Sequence, residues 1–181
     1  MNFLKIFFSI LVGGFLLTSC GPKLTPFTQQ LYDEQQWSDD ELKQIQFYTS
    51  ENIVLHRQLT RGESEIVSGE IKIRNGKKVD EVVIKKGTPG VLLFRPKEDK
   101  FAISFEADND DRFLVFGAAK KRRGQYRLQA KDWNKRYGKV TYEGKQYKTS
   151  SESAYAALMV DLKRIRNTEV RSRVAKGRTV D

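Results

Sequence analysis

The sequence predicts an all-β domain, a small antiparallel barrel or sandwich with a short helix near its N-terminal end. Three observations carry this. Short stretches rich in aromatic and β-branched residues recur at roughly 8–12-residue spacing from about Gln44 onward, joined by turn chemistry. Asn75-Gly76 lies between two of them, and that dipeptide supplies the two positive-φ residues of a type I′ hairpin. Phe101, Ile103 and Phe105 alternate with Ala102 and Ser104, the period of a strand. Composition agrees, since 11% aromatic and 31% charged residues suit a folded domain rather than a disordered one.

The elements follow in order. Ser38-Asp39-Asp40-Glu41 has capping-box form, and Asp39 and Asp40 favour the dipole of a first turn. A short helix from about Asp39 to Ile45 is expected, with a further turn or two over Thr28–Gln36. Trp37 and Leu42 are placed to pack this piece onto the body. Gln46-Phe47-Tyr48 and Ile53-Val54-Leu55 are strands around a Ser50-Glu51-Asn52 turn. Ile71 and Ile73 alternate with Glu70, Lys72 and Arg74, and Val82–Ile84 forms the return or next strand.

Lys86-Gly87-Thr88-Pro89-Gly90 reads as a tight turn in which proline pre-sets one φ and glycine supplies a positive one. Val91–Phe94 follows, broken by Arg95-Pro96-Lys97-Glu98-Asp99. After Phe101–Phe105 come an acidic turn (Ala107–Asp111), a strand (Phe113–Phe116), a basic turn (Lys120–Gly124) and a strand through Tyr126 and Leu128. Val140–Tyr142 and Lys145–Lys148 make a hairpin around Glu143-Gly144. Ser153–Ile165 admits two readings. Leu158, Val160 and Leu162 alternate as a strand, while Ala154, Ala157, Leu158, Leu162 and Ile165 share a helical face; the β surroundings favour the strand. Val170–Val180 is a last strand or a basic tail. The order of turn, strand and loop from Ile84 to Phe116 is similar in pattern to small SH3-like barrels.

Charge is unevenly spread along a chain of net +10. Residues 120–148 hold eleven Lys/Arg against Asp132 and Glu143, while residues 21–60 hold three against six acids. A positive field in the C-terminal third favours an anionic partner. Its sharpest part is Lys120-Lys121-Arg122-Arg123 with Arg127, Lys131, Lys135 and Arg136, interleaved with Tyr126, Trp133 and Tyr137. Aromatics beside cations stack on sugars or rest at a membrane interface while the cations meet phosphates. The alternative is a solvated turn whose aromatics belong to the core.

Catalytic chemistry finds little support. His56 is the single histidine and no Gly-x-Ser-x-Gly elbow accompanies it, so an ordinary strand histidine is the better reading. One histidine and one cysteine make no zinc set. Glu106-Ala107-Asp108-Asn109-Asp110-Asp111 lacks the glycine and distal glutamate of an EF-hand, which leaves a solvated turn. Glu63, Glu65, Glu70, Asp80 and Glu81 read as polar strand faces balanced by neighbouring lysines. No enzyme activity, metal or cofactor is implied.

The N-terminal end is of another kind. Lys5 is followed by an almost wholly apolar Ile6–Leu17, then Thr18-Ser19-Cys20, the only cysteine. Twelve residues span about 18 Å as a helix, short of a bilayer core of about 30 Å but right for a signal-peptide apolar region. Leu17-Thr18-Ser19-Cys20 resembles the lipobox of bacterial lipoprotein precursors. The resemblance implies that residues 1–19 are a removed signal peptide and that Cys20 is acylated. It further implies that Gly21, where an Asp commonly directs inner-membrane retention, leaves the protein in the outer membrane. Without an acidic run after Cys20, the body is expected to face the periplasm. Residues 20–37 are then expected to be anchor, tether (to about Phe27) and possible short helix, and residues 38–181 a single β-rich domain. The function this suggests is a non-enzymatic accessory or scaffold subunit of an envelope assembly. The alternative is a binding module for peptidoglycan, lipopolysaccharide or lipid. Nucleic acid is not an expected partner in that compartment.

Overall fold

The computed structural model describes residues 23–59, 72–74, 76–134 and 137–168. It is an all-β molecule of two antiparallel sheets with short helices, as the sequence predicts. Twelve strands are found among the described residues: β1 Leu24–Pro26, β2 Phe47–Thr49, β3 Ile53–Gln58, β4 Lys72–Arg74, β5 Lys77–Ile84, β6 Pro89–Lys97, β7 Lys100–Ser104, β8 Phe113–Ala119, β9 Gln125–Leu128, β10 Tyr137–Tyr142, β11 Lys145–Ser150 and β12 Leu158–Asp161. The helices are α1 Gln29–Gln35, α2 Asp39–Gln44 and α3 Leu162–Thr168. Seven strands form one sheet in the order β1-β12-β2-β6-β7-β8-β9, and five form the other in the order β10-β11-β3-β5-β4.

The seven-stranded sheet closes on itself. Its last strand, β9, bonds back to the chain just after β1: the Tyr126 N–H donates to the Phe27 carbonyl (3.1 Å) and the Gln29 N–H to the Gly124 carbonyl (2.8 Å). On its other side the Phe27 N–H donates to the Leu158 carbonyl (2.8 Å), and Leu128 N–H reaches the Ala156 carbonyl (3.0 Å). Closure leaves the curved interior to side chains. Phe27 is fully buried there, with Trp37, Phe47, Phe101 and Tyr126 around its ring at centroid distances of 5.1–6.0 Å. Buried residues of both sheets and Leu42 of the second N-terminal helix join one apolar cluster, against which Leu31 and Tyr32 of the first pack half-buried.

These contacts correct the expected tether. Leu24–Pro26 is paired in register with Met159–Asp161, and Phe27 lies in the core, so residues 24–27 belong to the folded body and not to a tether. The two helices form as predicted. Thr28 caps α1 by accepting from Leu31 N–H (3.1 Å), and Ser38 and Glu41 make both bonds of the capping box.

The hairpins follow local turn chemistry. β4 pairs β5 with Arg74 opposite Lys77 and Gly76 at φ 72°. Glu143 (φ 51°) and Gly144 (φ 67°) turn β10 into β11.

Several expectations are displaced. The turn before β6 centres on Lys86-Gly87, closed by Thr88 N–H to the Lys85 carbonyl (3.0 Å), with Gly87 at φ 78°. Pro89 and Gly90 already belong to β6. Gly90 is needed for space: a Cβ there would lie 2.8 Å from Ile103 and Phe105 side-chain carbons. Pro96 does not end the strand, because β6 runs to Lys97 with register shifts after Leu92 and Phe94 that tolerate a residue without an N–H. Residues 151–165 are mixed. A 3-10 turn, Ser151–Tyr155, precedes the favoured strand, which covers only Leu158–Asp161, and α3 takes Leu162 and Ile165. Ile71, Asn75, Glu63, Glu65, Glu70 and Val170–Val180 lie outside the described residues, as does Cys20 with its leader.

Phe27 carries the closure, so Phe27→Ala should cost about 3–5 kcal/mol, as large core truncations do. A urea titration reads this as a lower midpoint. A loss below about 1 kcal/mol, within the range of an ordinary surface change, would show that closure does not depend on this ring.

Candidate anion-binding site

The basic turn is built by a reversal that the chain has to make between β8 and β9. Lys120–Arg122 form one 3-10 turn, then Arg123 (φ 56°) and Gly124 (φ 68°) both adopt left-handed backbone. Gly124 serves space as well as φ, since a Cβ there would sit 3.2 Å from Gln29 Cβ. The turn is thereby seated on the start of α1 and presents four exposed cations.

Strand alternation then divides β9. Tyr126 and Leu128 point into the core, Gln125 and Arg127 outward. This removes Tyr126 from the predicted surface set. Its ring is fully buried and its hydroxyl donates to Gln29 Oε1 (2.8 Å), so it is a core residue that happens to sit among cations. Arg127 meets a residue that the sequence did not single out. The guanidinium carbons of Arg122 and Arg127 lie 5.9 and 6.0 Å from the ring centroid of Tyr155, which is 57% exposed. Arg127 Nη2 donates to Gln125 Oε1 (2.8 Å), while its Nε is buried without a hydrogen-bond partner. Burial, and then the charge of Arg122, lower the Arg127 pKa.

Arg127 and Tyr155 line an open groove of about 480 Å³ with Leu24, Lys86, Gln125 and Met159. Glu51 is the one acid in its lining among the described residues. The groove lies where β9, β1 and β12 converge, held by an isolated bridge between Arg127 and Ala157. Turns that link the two sheets complete it: Ser50 N–H bonds to the Ala157 carbonyl and Ala157 N–H to Ser50 Oγ, both at 2.9 Å.

The rest of the predicted patch sits at a second corner, where the chain passes from β9 to β10. Lys131 exchanges backbone bonds with Lys139 (2.8 and 2.9 Å), and Lys139 pairs with Asp132 at 3.0 Å. Trp133 covers Gly138, whose absent Cβ leaves room for the indole. Lys148 Nζ stands 4.8 Å from the Tyr137 ring centroid. Lys135 and Arg136 lie outside the described residues. Sequence proximity therefore merged two places, and it missed Tyr155 and Lys86.

The acids suspected of chemistry hold the fold together. Asp80 is not a lysine-balanced strand face. It accepts from Arg57 (3.1 Å) and from the Tyr147 hydroxyl (2.7 Å), the three residues standing on the neighbouring strands β5, β3 and β11 of the five-stranded sheet. Glu106 accepts from the Tyr142 hydroxyl (2.5 Å) and from Arg112 (2.7 Å), and Arg112 reaches on to Glu143 (3.0 Å). His56 lies half-buried on β3, in register with Lys148 and Glu81. Among the described residues, no group of three or more His, Cys, Asp or Glu is arranged to hold a metal ion, and no helix is long and apolar enough to cross a membrane.

Comparison with known protein families, characterised proteins and solved structures gives no significant match to this chain.

Burial, followed by the bond to Asp80, pushes the Tyr147 hydroxyl up to about 12, and burial with Glu106 raises Tyr142 further. A raised pKa means that the folded form keeps a proton which the unfolded chain sheds near pH 10. Stability from these groups is intact below pH 10 and declines as pH climbs from about 10 towards 12. Urea midpoints across pH 8–12 should show that decline, and Tyr147→Phe should flatten part of it. A profile that Tyr147→Phe leaves unchanged would assign the decline elsewhere.

Proposed function

We propose that this chain is a non-enzymatic lipoprotein of the bacterial outer membrane, held by acylated Cys20 and facing the periplasm. It acts there as an accessory or scaffold subunit of an envelope assembly. The reading rests first on the lipobox-like Leu17-Thr18-Ser19-Cys20. The observation that supports it from the fold is how soon the sheet begins. β1 starts at Leu24, four residues after Cys20, and four residues reach at most about 14 Å when fully extended. A lipid on Cys20 would hold the whole body against the bilayer rather than on a stalk. Two or more acyl chains suffice for such an anchor without any spanning helix.

A ligand-binding role is the second reading, and the Arg127–Tyr155 groove favours it. A ring flanked by two guanidinium groups suits an anionic glycan or lipid as well as an acidic protein face.

Two measurements test these readings. Intact mass and membrane fractionation of the native protein should show acyl groups on Cys20, and Cys20→Ala should release the chain from the membrane fraction. A soluble, unacylated wild type would end the lipoprotein reading. Affinity capture from detergent-solubilised envelope then separates the two roles. Stoichiometric protein partners support the scaffold, whereas a co-purified glycan or lipid supports the binding module. In either case Lys121→Glu with Arg122→Glu should weaken capture at low salt and leave the unfolding free energy from a urea titration within about 0.5 kcal/mol of wild type, as surface changes do.

A further inference from the structure

We infer that the Arg127–Tyr155 groove docks on an anionic phospholipid surface, the same leaflet that holds the acyl anchor, and so fixes how the domain lies on the membrane. The inference rests on the reading that Cys20 is acylated.

Position is the first argument. The groove is lined by Leu24 and by Met159, which lies opposite Pro26 in the β1–β12 register. The strand that leaves the membrane anchor is thus itself a wall of the groove. With a reach of about 14 Å from Cys20 to Leu24, this side of the body stands near the headgroups whatever the tether's path. That reach is an upper limit, and any less extended path brings this side within the Debye length of about 8–10 Å, where charge acts on the leaflet.

Chemistry is the second. Arg127 and Lys86 line the groove and Arg122 stands over Tyr155 at its margin, against the single acid Glu51. Arg122 and Arg127 share one ring, and among the described residues no carboxylate is bonded to either. Arg127 keeps a buried Nε without a partner. Two neighbouring guanidinium groups that repel one another gain most from a phosphate that accepts from both. Tyr155 is an exposed amphipathic ring of the kind that settles at the headgroup level. Leu24 and Met159 are partly exposed apolar neighbours at the same place.

The alternative occupant is an acidic protein face. It would need the groove to be turned away from the leaflet, which the short reach from Cys20 opposes.

The test uses the full lipidated protein. Cys20 is the only cysteine, so once it is acylated a single introduced cysteine is the only free thiol. An environment-sensitive dye is placed at Glu152→Cys, an exposed site on the 3-10 turn that carries Tyr155. A control dye is placed at Gln146→Cys, exposed on the other sheet. Both proteins are reconstituted into vesicles of phosphatidylcholine alone or with phosphatidylglycerol, containing lipid with headgroup-level quenchers. The expected result is quenching at position 152 that requires phosphatidylglycerol and falls at 0.5 M salt, with little at position 146. Each cation near an anionic leaflet contributes about five-fold to apposition. Lys121→Glu with Arg122→Glu should therefore lower the ratio of docked to undocked protein at least 25-fold, on that scale.

Anchored protein that floats with the vesicles yet shows equal or no quenching at the two positions overturns the docking and leaves the anchor intact. A dye at position 152 that is unquenched by vesicles but crosslinks to an envelope protein gives the groove to that partner and also overturns it. A wild type that carries no acyl group and does not float overturns the anchor and the docking together.

Discussion

Phe27 stands at the seam that closes the larger sheet. It gives its N–H to Leu158 and takes an N–H from Tyr126, so it joins β12 to β9 beside the bonds that Leu128 and Arg127 make to Ala156 and Ala157. The same residue's ring fills the interior that closure creates, among Trp37, Phe47, Phe101 and Tyr126. Unpaired strand edges and unsatisfied buried amides are both costly. Phe27 lowers both costs at this seam. The groove forms beside it, where Arg127 bridges to Ala157 and Tyr155 and Met159 share the lining.

The parts that the sequence made legible are local. The capping box of α2, the hairpins at Gly76 and at Glu143-Gly144, and the basic reversal at Lys120–Gly124 all arise from a few adjacent residues whose backbone preferences point one way. The parts it did not reveal depend on distant chain. Leu24–Pro26 contains a proline and no alternation, and only pairing with Met159–Asp161 makes it a strand. Pro96 continues β6 because the register shifts beside it relieve the ladder, which no local rule announces. Tyr155 sits where strand and helix patterns overlap, and its meaning comes from two arginines contributed by β9 and the turn before it. Tyr126 fails in the opposite sense: its neighbours in sequence are cations, but strand alternation sends it inward.

Charge along the chain also changes meaning once folded. The excess over residues 120–148 does not form one face. Part is neutralised or shielded at the β9–β10 corner, by Asp132 on Lys139 and by the Tyr137 ring under Lys148. Part is spent on fold geometry, since Lys145 stands 3.7 Å from Glu143, which also holds Arg112. The tyrosine–acid–arginine sets around Asp80 and Glu106 follow the same logic from within. Each satisfies a buried hydroxyl with a carboxylate whose charge an arginine offsets. Among the described residues, the cations that remain concentrated at the surface are the turn Lys120–Arg123 with Arg127, while Lys131 is exposed at the other corner.

The fold returns that basic part to the N-terminal strand. Residues 120–148 follow β1 by a long stretch of sequence, yet β9 and β12 flank Phe27 directly. A chain that pairs its first and last strands necessarily brings charge placed late in sequence next to whatever is attached early. Were β1 a free tether, an anchor at Cys20 and the cations would be related only through a flexible segment. With β1 in the sheet, four residues separate Cys20 from a rigid wall of the groove. On the proposed acylation of Cys20, orientation would then be a property of the fold rather than of the linker. The contacts proposed to hold it are those that a charged leaflet would supply at short range: phosphates for Arg122 and Arg127, and the interfacial layer for Tyr155.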